Sequence, residues 1–227
     1  MTGADLRAIL LSFAYVLTVL LVFDFLRRRG VSVTLTRKAV HIAVGMWVFP
    51  TIWLFDHWTW ALLPPVVFAV LNALSLRLRF FGAIEIAERS LGTVLFPLSF
   101  AGLLAVFWPI GREEVAAAGV MAMTWGDAMA SLIGKAYGQR SYRVWGQRKT
   151  WLGSVACFSW SMLAITLTLR FVGRYVLQPL PPLQLLLYAA VAGLVAALAE
   201  ALSPKGTDNL FVPFAAAGAL YVLLALL

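Results

Sequence analysis

Residues 126–154 read GDAMASLIGKAYGQRSYRVWGQRKTWLGS, and the fold turns on how this stretch is placed. It begins at the end of an apolar run with a carboxylate, Asp127. It passes through glycines and five cations (Lys135, Arg140, Arg143, Arg148 and Lys149) and re-enters apolar sequence at Trp151. A helix needs about 20 apolar residues to cross a bilayer. A basic, glycine-punctuated loop between two such runs is a connection at a membrane edge. A carboxylate facing clustered cations and glycines is also what a metal-assisted phosphate reaction needs.

Outward from that loop the chain is nearly all membrane. It has 227 residues, of which 62% are hydrophobic and 12% charged, where soluble domains carry roughly 25% charged residues. The expected fold is all-α: a polytopic membrane helical bundle of seven to eight transmembrane helices, with residues 1–227 forming a single integral-membrane domain. Candidate spans fall at roughly 6–26, 39–55, 58–76, 91–110, 114–133, 151–170, 183–200 and 210–227. The second is short, so seven spans plus a re-entrant segment is the alternative count. No basic region precedes the first apolar run and three arginines follow it, so it reads as a retained span rather than a cleaved signal. Cys157, the one cysteine, lies inside a span and excludes an internal disulfide and a cysteine zinc site.

The net charge is +8, and fourteen of the 18 Lys and Arg residues fall in alternate connections (27–38, 77–90, 134–150 and 201–209). By the positive-inside rule these connections are cytoplasmic and both termini face outward, as in the cytoplasmic membrane of a prokaryote. The cations sit beside spans, which favours anionic headgroups or a phosphorylated substrate as partners rather than nucleic acid. The opposite connections, Asp56-His57 among them, carry little chemistry. Trp47, Trp53, Trp58 and Trp60 fit an aromatic belt at that outer interface.

Four polar islands share the basic face. Arg37, Lys38 and His41 open the second span. Arg37 and His41 share a helix face, as a phosphate anchor or as a basic flank with a satisfied histidine. Asn72 lies near the end of the third span, and either binds or bonds across helices. Arg77 and Arg79 read as snorkelling flank residues, and Glu85, Glu88 and Arg89 as a solvated interfacial segment. In the opening stretch Gly126, Ala130 and Gly134 recur every four residues and leave one helix face bare, with Asp127 and Ser131 on the adjacent stripe. Asp127 is either a magnesium ligand or one half of a structural ion pair with Lys or Arg. Gly134-Lys135 is no Walker A loop, because Ala136 follows and no strand precedes it. Lys149, Arg148 and glycine-freed amides remain able to hold phosphate. Thr150 is a candidate cap for the sixth span, and Gly153 permits close approach. The last island is EALSPKGTDNLFVP at 200–213. There Glu200 continues a small face of Gly193, Ala196 and Ala197, and Asp208 is a further carboxylate or simply a helix cap. Asp127, Glu200 and Asp208 make a plausible metal and general-base set.

Taken in order, RKAVH at 37–41, SLGTVLFPL at 90–98, GDAMASLIGKAYG at 126–138, RKTWLGS at 148–154 and EALSPKGTDNLFVP at 200–213 resemble the polyprenol kinase family. That family includes dolichol, phytol and farnesol kinases and a yeast-type diacylglycerol kinase, and is related to phosphatidate cytidylyltransferases. The resemblance implies a multi-span enzyme that phosphorylates a lipid alcohol with CTP and a divalent metal, expected to be Mg²⁺. It puts Asp127 and Gly126, Gly134 and Gly138 in the nucleotide and metal segment. Lys149, Gly153 and Ser154 close that segment, and Glu200, Asp208 and Asn209 form the final acidic motif. Ser203-Pro204-Lys205 stands where the resemblance expects a more acidic run. The length of the chain resembles the phytol kinase end of the family.

The resulting expectation is phosphoryl transfer to a membrane alcohol. Asp127 and Asp208 bind metal. Lys149, Arg148 and Arg37 neutralise charge, and Glu200 or Asp208 orients the hydroxyl. Lys38, His41, Asn72, Gly126, Lys135, Gly138, Thr150, Ser154 and Asn209 complete the nucleotide-binding set. Cytidylyl transfer to phosphatidate is the enzymatic alternative. A small transporter fits poorly, since the charges gather at one face and no repeat is visible.

Overall fold

The computed structural model describes residues 1–78, 91–172 and 180–226. Arg79, Glu85, Glu88, Arg89 and Ser90 lie outside the described residues, as does the side chain of Arg77.

Helix α1 (Gly3–Arg28) starts at a capping box. The Thr2 hydroxyl accepts from the Asp5 amide, and the Asp5 carboxylate accepts from the Thr2 amide. Its residues Leu6, Leu10, Leu17 and Leu21 are exposed while Ala8, Ser12, Val16 and Val19 are buried. A whole helix face of exposed leucines suits lipid, not water.

Helices α2 (Val33–Met46) and α3 (Val48–Leu54) divide the second apolar segment at Trp47. Pro50 explains the break: it has no N–H to offer the Met46 carbonyl. After α3 the chain is back beside α1, since the amides of Asp56 and His57 both donate to Asp5 Oδ1, at 3.0 and 3.2 Å. The pair therefore carries the chain through the bundle and is not re-entrant. Helix α4 (Trp58–Ala61) and α5 (Leu63–Leu78) follow, divided just before Pro64 and Pro65, and then α6 (Gly92–Phe107) with a 3₁₀ turn at Trp108–Ile110. The next span is three pieces end to end: α7 (Glu113–Met121), a π-helical segment (Ala122–Asp127) and α8 (Ala128–Tyr137). Helices α9 (Trp151–Phe171), α10 (Pro182–Leu202) and α11 (Asp208–Ala225) complete the bundle.

Among the described residues, seven helices are long and apolar enough to cross a membrane. The broken α2–α3 pair makes an eighth passage. The chain is a multi-pass integral membrane protein.

The interrupted span 113–137 is central. Its apolar window is 72% buried, against 22% for α1. Ala116, Ala117, Ala118 and Ala122 have essentially no exposed surface. A Cβ at Gly119 would come within 2.7 Å of the Pro213 carbonyl on α11. Small residues here let backbones pack directly, as membrane helices require.

Two expectations need correction. The stretch 141–150 is not a plain loop: Ser141–Val144 (β1) and Gln147–Thr150 (β2) form an antiparallel hairpin, with Tyr142 opposite Lys149 and Arg143 opposite Arg148. Trp145 and Gly146, at φ 50° and 75°, make the two-residue turn, whose positive φ values suit the twist of a tight hairpin. Trp47 is also not a belt residue. It donates to Ser12 Oγ at 2.9 Å and stacks on Tyr15 at 4.2 Å between ring centres.

Candidate active site

The site is assembled where the central span changes its winding. A π turn interrupts the regular pairing of backbone carbonyls and is found frequently at functional sites. Here side chains from two other helices supply the donors. Ser161 Oγ donates to the Ala122 carbonyl at 3.2 Å, and His41 Nε2 lies 3.3 Å from the Met123 carbonyl. At Gly45 there is no room for a Cβ beside the Thr124 side chain, so α2 can lie against the π segment. That approach brings Lys38 and His41 to Asp127. Lys38 Nζ is 2.7 Å and His41 Nε2 3.6 Å from the Asp127 carboxylate, which is 6% exposed. Both readings of Asp127 gain from this: it has a cationic partner, and it also faces open space.

That space is a polar cavity of about 520 Å³. Helix α2 contributes Arg37 and Lys38; the central span contributes Asp127, Ser131, Gly134 and Lys135, with Gly138 just beyond α8. Arg148, Lys149 and Thr150 come from the hairpin, Gly153 and Ser154 from α9, and Glu200, Lys205, Asp208 and Asn209 from the end of α10 through the start of α11. Six cations and three carboxylates line it, a surplus of positive charge that suits a polyphosphate.

Local structure explains how these groups are held. Thr150 caps α9, its hydroxyl accepting from the Gly153 amide at 3.1 Å. A Cβ on Gly153 would come within 2.9 Å of the Ala130 carbonyl, and one on Gly134 within 2.7 Å of Thr150 Oγ1. The small face of α8 is therefore a packing face against α9, and it brings the hairpin's base beside Asp127. The hairpin in turn closes the C-terminal end of α10. Lys149 bonds both the Glu200 carbonyl and, at 3.0 Å, its carboxylate; Trp145 Nε1 donates to the Leu202 carbonyl at 2.8 Å, and Gln147 to that of Ser203 at 3.5 Å. Carbonyls at a helix end lack intrahelical donors, and a cation there also meets the helix dipole favourably. Asp208 is the first residue of α11 rather than its cap, which is Thr207. Its carboxylate accepts from the Asn209 amide at 3.0 Å and has no ion-pair partner among the described residues.

Three expected residues stand apart from the polar cavity. Gly126 packs against Ser161 and Cys157; it admits α9, not a ligand. Asn72 donates to the Thr93 carbonyl at 2.8 Å. Pro97, four residues on, has no N–H to give that carbonyl, so the amide makes good a defect in α6. His41 faces the Met123 carbonyl and a second cavity. Lys205, Gln147 and Thr34 line the polar cavity without having been singled out in the sequence. Only Lys205 left a signal there, as the cation in the break before Asp208.

The second cavity, about 290 Å³, is largely apolar and runs between α1, α2, α3, α4, α5 and α6. Four residues line both cavities: Arg37, Lys38, Asp127 and Asn209. A charged chamber and an apolar chamber thus meet at one carboxylate–lysine pair. That arrangement suits a reaction between an anionic water-soluble partner and an amphiphile.

A divalent cation has matching donors. Asp127 and Asp208 border the polar cavity, and Asn209 Oδ1 is buried with no hydrogen-bond partner among the described residues. No cluster of three or more His, Cys, Asp or Glu side chains occurs among the described residues. A magnesium ion that keeps water and phosphate oxygens as ligands needs only one or two carboxylates, so the donor set fits a metal arriving with a nucleotide.

Among curated proteins the chain is similar to Phytol kinase of Synechocystis sp., at 32% identity over 213 residues, covering 92% of this chain and 88% of that protein. The chain belongs to the phytol kinase family. Its similarity to Probable phytol kinase 2, chloroplastic, of Glycine max is 32% over 146 residues, 60% of this chain and 47% of that protein. No family model matches the chain, and no solved structure does. As a member of the phytol kinase family it is a kinase, a phosphotransferase acting on an alcohol.

Proposed function

We propose that the protein transfers the terminal phosphate of CTP to the hydroxyl of a membrane prenol, phytol or geranylgeraniol foremost, at the cytoplasmic membrane face. The observation that carries this reading is the meeting of a cationic and an apolar cavity at Asp127. The phytol kinase relatives support the acceptor class. CTP follows from the resemblance of the motifs, and the cytoplasmic face from the bias of Lys and Arg.

The nucleotide phosphates occupy the polar cavity, held by Arg148, Lys149 and Lys135, with Arg37 at the junction. A divalent ion would be held by Asp208 and Asn209 Oδ1 with Asp127 beside them, and when bound would neutralise phosphate charge. The alcohol enters from the bilayer with its tail in the apolar cavity, which brings its hydroxyl to Asp127. Asp127 accepts the hydroxyl's hydrogen bond and takes its proton as the new phosphorus–oxygen bond forms. The bond from the terminal phosphorus to the bridging oxygen breaks, and the nucleoside diphosphate leaves. Lys38 holds the Asp127 carboxylate in place, and Glu200 holds Lys149. Such transfers depend chiefly on positioning and electrostatic stabilisation.

The test is purified protein in detergent and lipid with Mg²⁺, γ-labelled CTP or ATP, and phytol, geranylgeraniol, undecaprenol or diacylglycerol. Label in a prenyl phosphate, greater with CTP, is the expected outcome. CDP-lipid formed from phosphatidate and α-labelled CTP, with no prenyl phosphate, would overturn the reading.

A further inference from the structure

The apolar cavity has two unlike ends. One end is the junction with the polar site. The other is made by Ser12 on α1, Thr51 on α3, Ala61 on α4 and Phe100 on α6. These four come from four separate helices, and each is at most 5% exposed. The wall there is protein on every named side, not lipid. Trp47 stiffens the flank, clamped by its bond to Ser12 and its stack on Tyr15.

Helical rise gives the depth. Lys38 to Thr51 spans 13 residues along α2 and α3, about 20 Å at 1.5 Å per residue; Asn72 to Ala61 spans 11 along α5 and α4, about 16 Å. An extended chain advances about 1.2 Å per bond, as three-bond peptide units do over about 3.5 Å. A four-bond isoprene unit is then about 5 Å long, and the cavity holds about three to four units.

We propose that the blind end formed by Ser12, Thr51, Ala61 and Phe100 is a chain-length stop, which admits prenols of up to about four isoprene units and excludes polyprenols. This rests on the kinase reading above. The occupant is a single apolar tail because the cavity is continuous with the site that takes its hydroxyl. Ala61 is the most restrictive position. It has no exposed surface, and any larger side chain there must project into the cavity or displace a neighbour. Phe100 is the largest of the four, so its truncation lengthens the space.

The experiment uses the full chain in detergent and lipid, the labelled nucleotide, and linear prenols of two, three, four and nine isoprene units. The readout is the ratio of kcat/KM between alcohols, with size-exclusion profile and melting curve confirming a folded variant. In the unsubstituted protein the nine-unit alcohol is expected to fall about tenfold or more below the four-unit one. Ala61→Phe is expected to lower the four-unit to two-unit ratio by about tenfold or more, and Phe100→Ala to raise the nine-unit to four-unit ratio several-fold. Equal use of four-unit and nine-unit alcohols, or ratios unchanged in both folded variants, would overturn the stop alone. Phosphorylation of no alcohol in the series would overturn the kinase reading and the stop with it.

Discussion

Asp5 and Asp127 are both covered carboxylates, at opposite ends of the bundle, and they are held in opposite ways. Asp5 accepts from the Thr2 amide and hydroxyl, from the Asp56 and His57 amides, and from the His57 ring at 2.9 Å. Every lone pair has a donor, and Asp5 lines neither of the two cavities described above. It ties the start of α1 to the turn after α3. Asp127 has one strong partner, Lys38, a second histidine contact, and cavities on both sides. Burial of charge is therefore not itself a mark of function. What separates the two is whether the protein saturates the carboxylate or leaves capacity for a further ligand.

The largest expected effect tests Asp127. Asp127→Asn keeps shape and is expected to lower phosphoryl transfer by about 100-fold or more while membrane insertion and melting stay close to normal. An active variant would remove Asp127 from the chemistry and break the comparison. Next, Lys149→Gln removes the proposed phosphate contact and the bond to Glu200; nucleotide KM is expected to rise about tenfold with the prenol KM little changed. Equal rises in both would mean that the hairpin organises the whole site rather than the nucleotide half.

At the saturated end, Asp5→Asn turns an acceptor into a partial donor among five donors. The melting midpoint in detergent is expected to fall by several degrees, with turnover per folded molecule preserved. A loss of turnover like that of Asp127→Asn would show the two ends to be coupled. The smallest effect is expected for Asn72→Leu, which removes the amide's hydrogen bond to the Thr93 carbonyl. Denaturation is expected to show a loss of about 1 kcal/mol, with the prenol series phosphorylated in unchanged order.

Local chemistry was legible in the chain. Apolar length and charge bias marked the spans. The four-residue spacing of Gly126, Ala130 and Gly134 marked a bare helix face, and Thr150 before Trp151 marked a cap. The carboxylates at 127, 200 and 208 stood out because ionisable groups are rare in such sequence. The π winding before Asp127 was not legible, nor was the hairpin, whose turn carries a tryptophan at positive φ where Asn or Asp is usual. Asn72 read as a possible ligand because its acceptor, the Thr93 carbonyl, lies 21 residues away on another helix, and that carbonyl's need arises from Pro97.

The sequence by itself determined that this is a membrane bundle with its chemistry at one end, because hydropathy and charge act residue by residue against the bilayer. Only the tertiary structure decided which cation answers which carboxylate, since Lys38 and Asp127 are 89 residues apart and Lys149 and Glu200 are 51 apart. It alone also decided that a charged and an apolar cavity share one wall, because a cavity belongs to no single helix and exists only where several fail to meet.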